Sequence, residues 1–223
     1  MNDKIAIYTC ITGGYDIPTD GFEHKEGYDY FLFSDVPIKT KSWRNFLITF
    51  DNAEGLSDVK KQRFIKTHPF EVLKGYDIAV WVDANTDINK KLYDYIEQNK
   101  DNPITFKKHP NRDCIFDEIE ACLLSRKEKP DVAKRIFKKL VSEGYPKHNG
   151  LFENNVIISH ITNNDVKSLY ESWWREIHCF SHRDQLSLNY VIWKHHLESI
   201  ITCRETNYFK PKSHKRKRMI FKL

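Results

Sequence analysis

Glycine, proline and cysteine are all scarce in this chain of 223 residues, with eight, eight and five copies respectively. The low glycine and proline content excludes collagen-like and low-complexity proteins. The cysteines are scattered and form no C-x-x-C pair, which argues against a disulfide framework and a zinc ribbon and favours a reducing compartment. A hydrophobic content of 40% excludes a disordered protein and supplies one sizeable core.

Long apolar runs are also absent from the sequence. No run approaches the ~20 residues that span a bilayer. The charged start Met1 to Lys4 passes directly into Ile5 to Tyr8, which is too short for the apolar region of a signal peptide. We therefore expect a cytoplasmic protein.

The net charge of +5 is concentrated at the C-terminus. Residues 210–223 hold seven basic residues and no acidic residue, which leaves 29 basic against 31 acidic residues in 1–209. We predict a single domain over 1–209 and a basic tail over 210–223. The nearly neutral domain argues against a nucleic-acid-binding face, so the tail predicts one local anion site. The anion could be a phosphate, a membrane surface or nucleic acid, and a solvated tail without a partner is the alternative.

Seven short apolar runs predict β-strands, and helical patterns lie between several of them. The strands are Lys4–Cys10, Tyr30–Ser34, Phe46–Phe50, Ile78–Val82, Ile104–Phe106, Val156–Ser159 and Ile200–Cys203. Helices are predicted from Ser57 towards Pro69, over Lys90–Gln98 behind an Asn89 cap, and along the stripes 132–140 and 166–177. The alternation predicts an α/β domain with a mostly parallel sheet that is covered on both faces.

Ligands of such sheets bind beyond the carboxyl ends of the strands, so polar residues that follow a strand are candidate site residues. Tyr8 to Asp16 is a strand that runs into a turn with paired glycines, Gly13 and Gly14. Glycine allows a positive φ and a close approach of the backbone to a ligand. Because no G-x-G-x-x-G or G-x-x-x-x-G-K-[ST] motif occurs, an ordinary turn is the alternative.

The most informative segment follows the predicted strand Ile78–Val82, which ends abruptly in the sequence Asp-Ala-Asn-Thr-Asp. In an extended chain, Asp83 and Asn85 point the same way and could present two oxygens to one Mg²⁺ or Mn²⁺ ion that also holds diphosphate. Asp87 could add a negative charge. The alternative is an Asx-turn that ends the strand, with Asn89 capping the next helix.

Two further segments place acids beside amides. Glu153 and Asn154 precede the predicted strand Val156–Ser159, where they could line a sugar pocket or form a turn. Asp184 and Gln185 open a helical apolar pattern. In that first turn an acid also favours the helix dipole for structural reasons alone, which is the alternative to a site role.

Together these segments resemble a glycosyltransferase-like family that was long catalogued as a domain of unknown function, with relatives in plant cell-wall biosynthesis and bacterial polysaccharide clusters. The resemblance rests on Tyr8 to Asp16, Tyr30 to Asp35, Lys61 to Pro69, Trp81 to Asn85, His109 to Cys114, Gly150 to Asn155 and Ser181 to Gln185. Their order and spacing both agree with the family, and they cover nearly the whole chain.

The resemblance implies a GT-A fold, an α/β/α sandwich that binds a nucleotide sugar and uses a DXD motif for Mn²⁺ or Mg²⁺. Asp83, Ala84 and Asn85 occupy the DXD place, and the final amide keeps a ligand oxygen but removes one negative charge, which should weaken metal binding. His214 matches by position a C-terminal histidine that ligates the metal in related retaining enzymes. The implied activity is a hexosyltransferase-type, metal-dependent transfer from a UDP-sugar to a saccharide or lipid-linked acceptor.

Site roles follow from this resemblance. The positive charge that neutralises the departing diphosphate is expected from Arg63, Lys66, Lys212, Lys215 and the neighbouring His214. Nucleotide contacts are expected from Tyr8, Thr9 and Asp35, and contacts with the donor sugar and the acceptor from Asp184, Gln185, Glu153 and Asn154. In an inverting enzyme Asp184 is the first candidate for the base and Glu153 the second, whereas a retaining enzyme would use them to orient the sugar.

Other functions are also open. The sequence from Asp83 to Thr86 is similar to the D-x-D-x-[TV] start of haloacid-dehalogenase-like phosphotransferases, although the second acid is missing and the motif normally opens the domain. A nucleotide-sugar-binding pseudoenzyme is a second alternative, suggested by Asn85. The tail, which also contains Met219 and Ile220, could contact the anionic inner face of a membrane as a peripheral segment.

Overall fold

Seven strands form the central sheet of this computed structural model, which describes residues 3–49 and 54–205. They are β1 (Ile5–Ile11), β2 (Tyr28–Ser34), β3 (Arg44–Leu47), β4 (Ile78–Val82), β5 (Ile104–Lys108), β6 (Phe152–His160) and β7 (Ile201–Arg204). Their order is β3-β2-β1-β4-β6-β5-β7. β6 runs antiparallel to β4 and β5, and the other neighbouring strands pair in parallel. The predicted mostly parallel sheet is confirmed.

Helices cover both faces of this sheet. They are α1 (Asp58–Thr67), α2 (Pro69–Val72), α3 (Lys90–Asn99), α4 (Ile115–Leu124), α5 (Pro130–Ser142), α6 (Asn164–Cys179) and α7 (Leu188–Lys194), with 3₁₀ turns at Asp184–Leu186 and Glu198–Ile200. Ile65 of α1 and Trp173 of α6 belong to the apolar cluster on one face. Leu92 and Ile96 of α3 belong to the cluster on the other. The domain is therefore an α/β/α sandwich.

Strands β1 and β4 are fully buried and alternate between the two clusters. Ile7 and Val80 contribute to the cluster that contains α3, whereas Tyr8 and Trp81 contribute to the opposite one. Tyr8 lies opposite Trp81 in the register, and their rings pack edge to face with centroids 5.2 Å apart. Such a contact adds about 0.5–1.5 kcal/mol to the burial of the two rings. This packing holds the ends of β1 and β4 in place, and with them the starts of the loops that follow these strands.

Most predicted elements occur in the structure, with shifted ends. β4 has the predicted bounds, and Asn89 caps α3 by accepting from the backbone N–H groups of Lys91 and Leu92. β3 begins at Arg44 and ends at Leu47, so it only overlaps the predicted strand, whose last residue, Phe50, lies outside the described residues. Helix α4 was not predicted.

Two shifted elements concern candidate site residues. β6 begins at Phe152, four positions before the predicted start, so Glu153 and Asn154 lie inside a strand and not before one. Because β6 is antiparallel, its first residues lie at the edge where β1 and β4 end. Asp184 and Gln185 form a separate 3₁₀ turn instead of the first turn of α7.

Within residues 3–49 and 54–205, no helix is both long enough and apolar enough to cross a membrane. The predicted tail, 210–223, lies outside this range. The predictions for Lys212, His214 and Lys215, for the end of the domain at 209 and for a membrane contact of the tail therefore stay predictions.

Candidate functional site

A cavity of about 750 Å³ opens at the edge of the sheet where β1 and β4 end and β6 begins. Eight candidate residues from four separate parts of the sequence line it: Arg63, Lys66, Asp83, Asn85, Glu153, Asn154, Asp184 and Gln185. The parallel strands bring their carboxyl ends to one edge, and the antiparallel strand adds its amino end. The sheet topology thus brings together residues that are far apart in the chain.

Lys66 lies at the centre of the contacts below this cavity, with a side chain that is only 2% exposed. Its ammonium group donates to Asp184 Oδ2 at 2.6 Å and to the carbonyl oxygen of Asn154 at 2.7 Å. It also lies 4.0 Å from Asp83 Oδ1 and 5.2 Å from the centre of the Trp81 ring. One cation therefore links α1, β4, β6 and the 3₁₀ turn.

The positive charges of Arg63 and Lys66 hold Asp184 in its ionised form. Burial disfavours the charged carboxylate, but Arg63 and Lys66 outweigh that cost and hold the pKa of Asp184 well below its usual range. Arg63 Nε lies 3.7 Å from Asp184 Oδ2, and Trp173 donates its indole N–H to the backbone carbonyl of Asp184 at 3.0 Å. A carboxylate with a lowered pKa is a weak proton acceptor.

Asp83 is the more exposed of the two acids, with 34% of its side chain accessible. Desolvation raises the pKa of Asp83, the charges of Lys66 and Arg63 oppose this shift, and the nearby carboxylate of Asp184 adds to it. Trp81 Nε1 donates to Asp83 Oδ1 at 2.9 Å. One carboxylate oxygen is therefore fixed by the strand that precedes it.

The backbone after Asp83 turns and does not stay extended. The N–H of Thr86 donates to the carbonyl of Asp83 at 2.8 Å, which closes a four-residue turn. The expectation of an extended Asp83-Ala84-Asn85 segment is therefore wrong. The side chains of Asp83 and Asn85 nevertheless border the same cavity.

Glu153 and Asn154 enter the cavity wall from β6. Glu153 forms a 2.6 Å ion pair with Lys107 of β5, where the register shifts between Phe106 and Lys107. Asn154 is only 5% exposed, and neither its amide oxygen nor its amide nitrogen has a hydrogen-bond partner within the described part of the chain. Since buried polar groups are normally hydrogen-bonded, the Asn154 amide is suited to a polar ligand.

The turn after β1 borders the cavity through Thr12 and Gly13. Gly13 has φ +61° and donates its backbone N–H to Asp35 Oδ2 at 2.6 Å. Thr12 Oγ1 donates to the carbonyl of Asp58, at the start of α1, at 2.6 Å. A Cβ atom on Gly13 would lie 2.5 Å from Asp58 Oδ2. A side chain at this position would therefore require the Asp58 carboxylate to move.

Three predicted nucleotide contacts lie outside the cavity lining. Tyr8 and Thr9 are wholly buried within β1, which continues to Ile11, so neither lies beyond the end of the strand. The Tyr8 hydroxyl donates to the carbonyl of Lys66 at 2.8 Å. Asp35 does not line the cavity but accepts a hydrogen bond from Gly13, which does.

Most other residues that line the cavity lie in the candidate segments but were given no individual catalytic or binding role. They are Cys10, Ile11, Thr12, Gly13, Tyr15, Asp16, Gln62, Ala84, Asn155, His182 and Arg183. Asp58 and Val59 lie outside those segments and were missed. Helical spacing could have indicated Val59 and Gln62, because they precede Arg63 and Lys66 on one side of α1. Lys107 was also missed, since its pairing with Glu153 depends on a register shift between distant strands.

The fold and the cavity define an α/β/α protein with a polar candidate site at the carboxyl edge of its sheet. The family model of the TOD1/MUCI70 glycosyltransferase-like domain matches residues 66–220. The chain belongs to this family, which confirms the resemblance inferred from its motifs. The matched residues begin at Lys66 and include Asp83, Glu153 and Asp184. No curated protein matches the chain.

Proposed function

We propose that the protein is a metal-assisted glycosyltransferase that moves a sugar from a nucleoside-diphosphate donor, expected to be a UDP-sugar, to a saccharide or lipid-linked acceptor. Membership of the family supports the class of activity. The observation that carries the proposal is the meeting of Asp83, Glu153, Asp184 and Arg63 around one cavity of about 750 Å³. That volume lies within the usual range of about 300–1,000 Å³ for small-molecule sites.

The residues at the end of β4 fit a hard divalent cation. Asp83 offers a partly exposed carboxylate and Asn85 an amide, and Mn²⁺ and Mg²⁺ prefer such oxygen donors. When bound, the cation would neutralise the negative charge that develops on the diphosphate. With one carboxylate only, and with Lys66 Nζ 4.0 Å from it, we expect weaker metal binding than two carboxylates would give.

Other side chains are suited to the organic part of the substrates. The Asn154 amide can both donate to and accept from sugar hydroxyls, and it has no competing partner among residues 3–49 and 54–205. Arg63 lines the cavity and is oriented by donation from Nε to the carbonyl of His182 at 3.0 Å. Its guanidinium group adds positive charge beside the donor phosphates.

Of the two candidate bases, Glu153 fits the task better. Asp184 has a lowered pKa and is bonded to Lys66, so we assign it to holding that lysine in place. In inverting transfer, the acceptor hydroxyl gives its proton to Glu153 while its oxygen bonds to the anomeric carbon, and the bonding electron pair of the donor leaves with the diphosphate. In retaining transfer, Glu153 would orient the sugar, and the anomeric configuration of the product distinguishes the two.

The test is a thermal-shift panel of nucleotides and nucleotide sugars, with and without Mn²⁺, combined with an assay for release of the nucleoside diphosphate. We expect a shift selective for uridine nucleotides that is lost in Asp83→Ala. The control is Asp94→Ala, which removes an exposed carboxylate on α3. Binding without any release of diphosphate would indicate a pseudoenzyme, and phosphatase turnover without nucleotide sugar would indicate a phosphotransferase.

A lipid-linked acceptor would place the enzyme at a membrane surface, and the basic tail suits an anionic inner leaflet. Co-sedimentation with anionic vesicles should be lost when residues 210–223 are deleted. Unchanged co-sedimentation would contradict this part of the proposal. Activity is not the readout here, because the deletion also removes His214.

A further inference from the structure

A second group of metal-ligand side chains lies at the start of α4, apart from the cavity described above. One ligand atom from each of Cys114, Asp117 and His148 lies within 4.8 Å of the other two. None of these three residues lines that cavity. The group combines a thiol, a carboxylate and an imidazole, which are the three side-chain types that bind Zn²⁺ in proteins.

The fold brings these groups together from two segments. Cys114 is the N-cap residue of α4, and Asp117 follows in the first turn of the same helix. His148 comes from the loop between α5 and β6 and has φ +54°. A positive φ is uncommon outside glycine and is retained where surrounding contacts require it.

Asp113 orients the imidazole of His148. Its Oδ1 lies 2.9 Å from Nδ1 of the histidine. A proton on Nδ1 would leave the lone pair of Nε2 for a metal ion. Metal-ligating histidines are commonly held by a carboxylate in this way.

The other two ligands are also available. The thiol of Cys114 is 1% exposed and forms no hydrogen bond within the described segments. The exposed carboxylate of Asp117 likewise forms no hydrogen bond or ion pair there. Neither group would have to break a bond within the described protein to bind an ion.

We propose that Cys114, Asp117 and His148 bind one Zn²⁺ ion, with Asp113 positioning the histidine and water completing the coordination. The thiol loses its proton to solvent as the Zn–S bond forms. Tetrahedral ligands of zinc lie about 3.3–3.8 Å apart, so the exposed side chains of Asp117 and His148 need to move by about 1 Å. The thiolate selects Zn²⁺ over Mg²⁺ and Mn²⁺.

The ion would connect the loop before β6 to the start of α4. β6 begins four residues after His148, at Phe152, and its next residues line the candidate site. A zinc ion here would therefore restrain the segment that leads into the cavity wall. The proposal does not depend on the proposed transferase activity.

The test uses the full chain, stripped of metal, in two measurements. In competition with a chromophoric chelator, wild type should bind one Zn²⁺ with an affinity that falls about tenfold or more in His148→Ala and Asp117→Asn. The matched control is His196→Ala, because His196 is an exposed histidine with a nearly identical φ of +55°. Asp83→Ala should also keep this affinity.

Cobalt substitution tests the thiolate directly. Wild type with Co²⁺ should show the near-ultraviolet thiolate-to-cobalt charge-transfer band, which Cys114→Ser should lose and the exposed control Cys203→Ser should keep. Thermal unfolding checks that Cys114→Ser is folded, and the exposed His148 provides an independent variant. Equal zinc affinity in wild type and His148→Ala would mean an adventitious ion only, and absence of the cobalt band in wild type would overturn thiolate ligation.

Discussion

The ammonium group of Lys66 and the carboxylate of Asp184 are 2.6 Å apart, although 118 positions separate them in the chain. Both side chains are nearly buried, at 2% and 8% exposure. The bond ties α1 to the 3₁₀ turn, and both residues border the cavity. This ion pair therefore belongs to the fold and to the candidate site at once.

Replacing only one residue of the Lys66–Asp184 pair should destabilise the folded chain strongly. Lys66→Met leaves the buried carboxylate of Asp184 without its closest cation, and we expect a loss of about 3–5 kcal/mol in the free energy of unfolding. The double variant Lys66→Met/Asp184→Asn should regain much of that loss, because the unpaired charge is gone. Urea unfolding of the single and double variants measures both values.

The matched control is the exposed pair between Lys90 and Asp94, with nitrogen and oxygen 2.9 Å apart. Lys90→Met should change the free energy of unfolding by less than about 1 kcal/mol, because exposed pairs contribute little. A similar cost for Lys66→Met and Lys90→Met would contradict the assignment of Lys66 as a buried structural cation.

Asp83 and Asp184 should have opposite effects on stability as the pH changes. The pKa of Asp83 is raised above its usual 3.8, so its ionised form is less favourable in the folded chain than in the unfolded one. We therefore expect Asp83→Asn to raise the melting temperature near neutral pH. The gain should disappear as the pH falls below about 3.8, where the unfolded state also binds the proton.

Asp184→Asn should change stability in the opposite direction to Asp83→Asn. Its carboxyl has a pKa below the usual 3.8, so it contributes stability above that pH and loses the contribution as the pH falls further. The variant should be less stable than wild type near neutral pH and should approach it in acid. Melting temperatures measured from pH 7 to pH 2 check both variants. If Asp83→Asn melted at a lower temperature than wild type near neutral pH, the folded chain would favour the ionised form of Asp83, contrary to this prediction.

Much of the sheet could be predicted from local sequence, because strands covered on both faces need continuous apolar residues. β1 and β4 show this pattern, and β4 has its predicted bounds. β6 was harder, because Glu153 and Asn154 are polar and locally indicate a turn. They lie in a strand because its backbone pairs with β5 and because the Glu153 carboxylate meets Lys107 across the register shift.

The candidate site was predictable as a set of residues but not as a set of contacts. Polar residues after strands correctly indicated which edge of the sheet bears the cavity, since topology places those ends together. Nothing local indicates that Lys66 reaches Asp184, or that the Tyr8 hydroxyl donates to the Lys66 carbonyl. Such contacts depend on long-range packing, which sequence periodicity does not contain.

The paired glycines after β1 offer a test of close packing. A Cβ on Gly13 would lie 2.5 Å from Asp58 Oδ2, whereas one on Gly14 meets no atom within 4 Å. Their φ values, +61° and +60°, are nearly equal, so both alanine variants carry the same backbone cost of about 1–2 kcal/mol. Gly13→Ala should lose more stability than Gly14→Ala, because Asp58 must also move.

The difference between these two variants is the informative quantity, and chemical denaturation measures it. Under the proposed function, Gly13→Ala should also weaken nucleotide binding more than Gly14→Ala, because Gly13 and the Asp58 carboxylate that must move both line the cavity, whereas Gly14 is not among its lining residues. Equal losses of stability in the two variants would mean that Asp58 turns away at no cost and that this contact does not require glycine.

Glu153 and Asp184 can be distinguished by which of them accepts the proton of the acceptor hydroxyl, a prediction that rests on the proposed transferase activity. If Glu153 accepts the acceptor proton, Glu153→Gln should lower kcat by about 10²–10⁴-fold. Its donor affinity should stay within about threefold of wild type, because this change removes an interaction made in the transition state. Glu120→Gln, an exposed substitution on α4, is the control and should leave both values unchanged.

Lys107→Met gives the same hypothesis a second readout. Without the cation 2.6 Å away, the Glu153 carboxylate loses the group that holds it in the cavity wall, so Lys107→Met should lower kcat more than it lowers donor affinity. A purely structural role for Lys107 would lower stability and leave kcat unchanged in the folded variant. If Glu153→Gln keeps most of its transfer rate while Asp184→Asn loses it in a folded protein, the base is Asp184, and its lowered pKa must rise when substrate displaces Lys66.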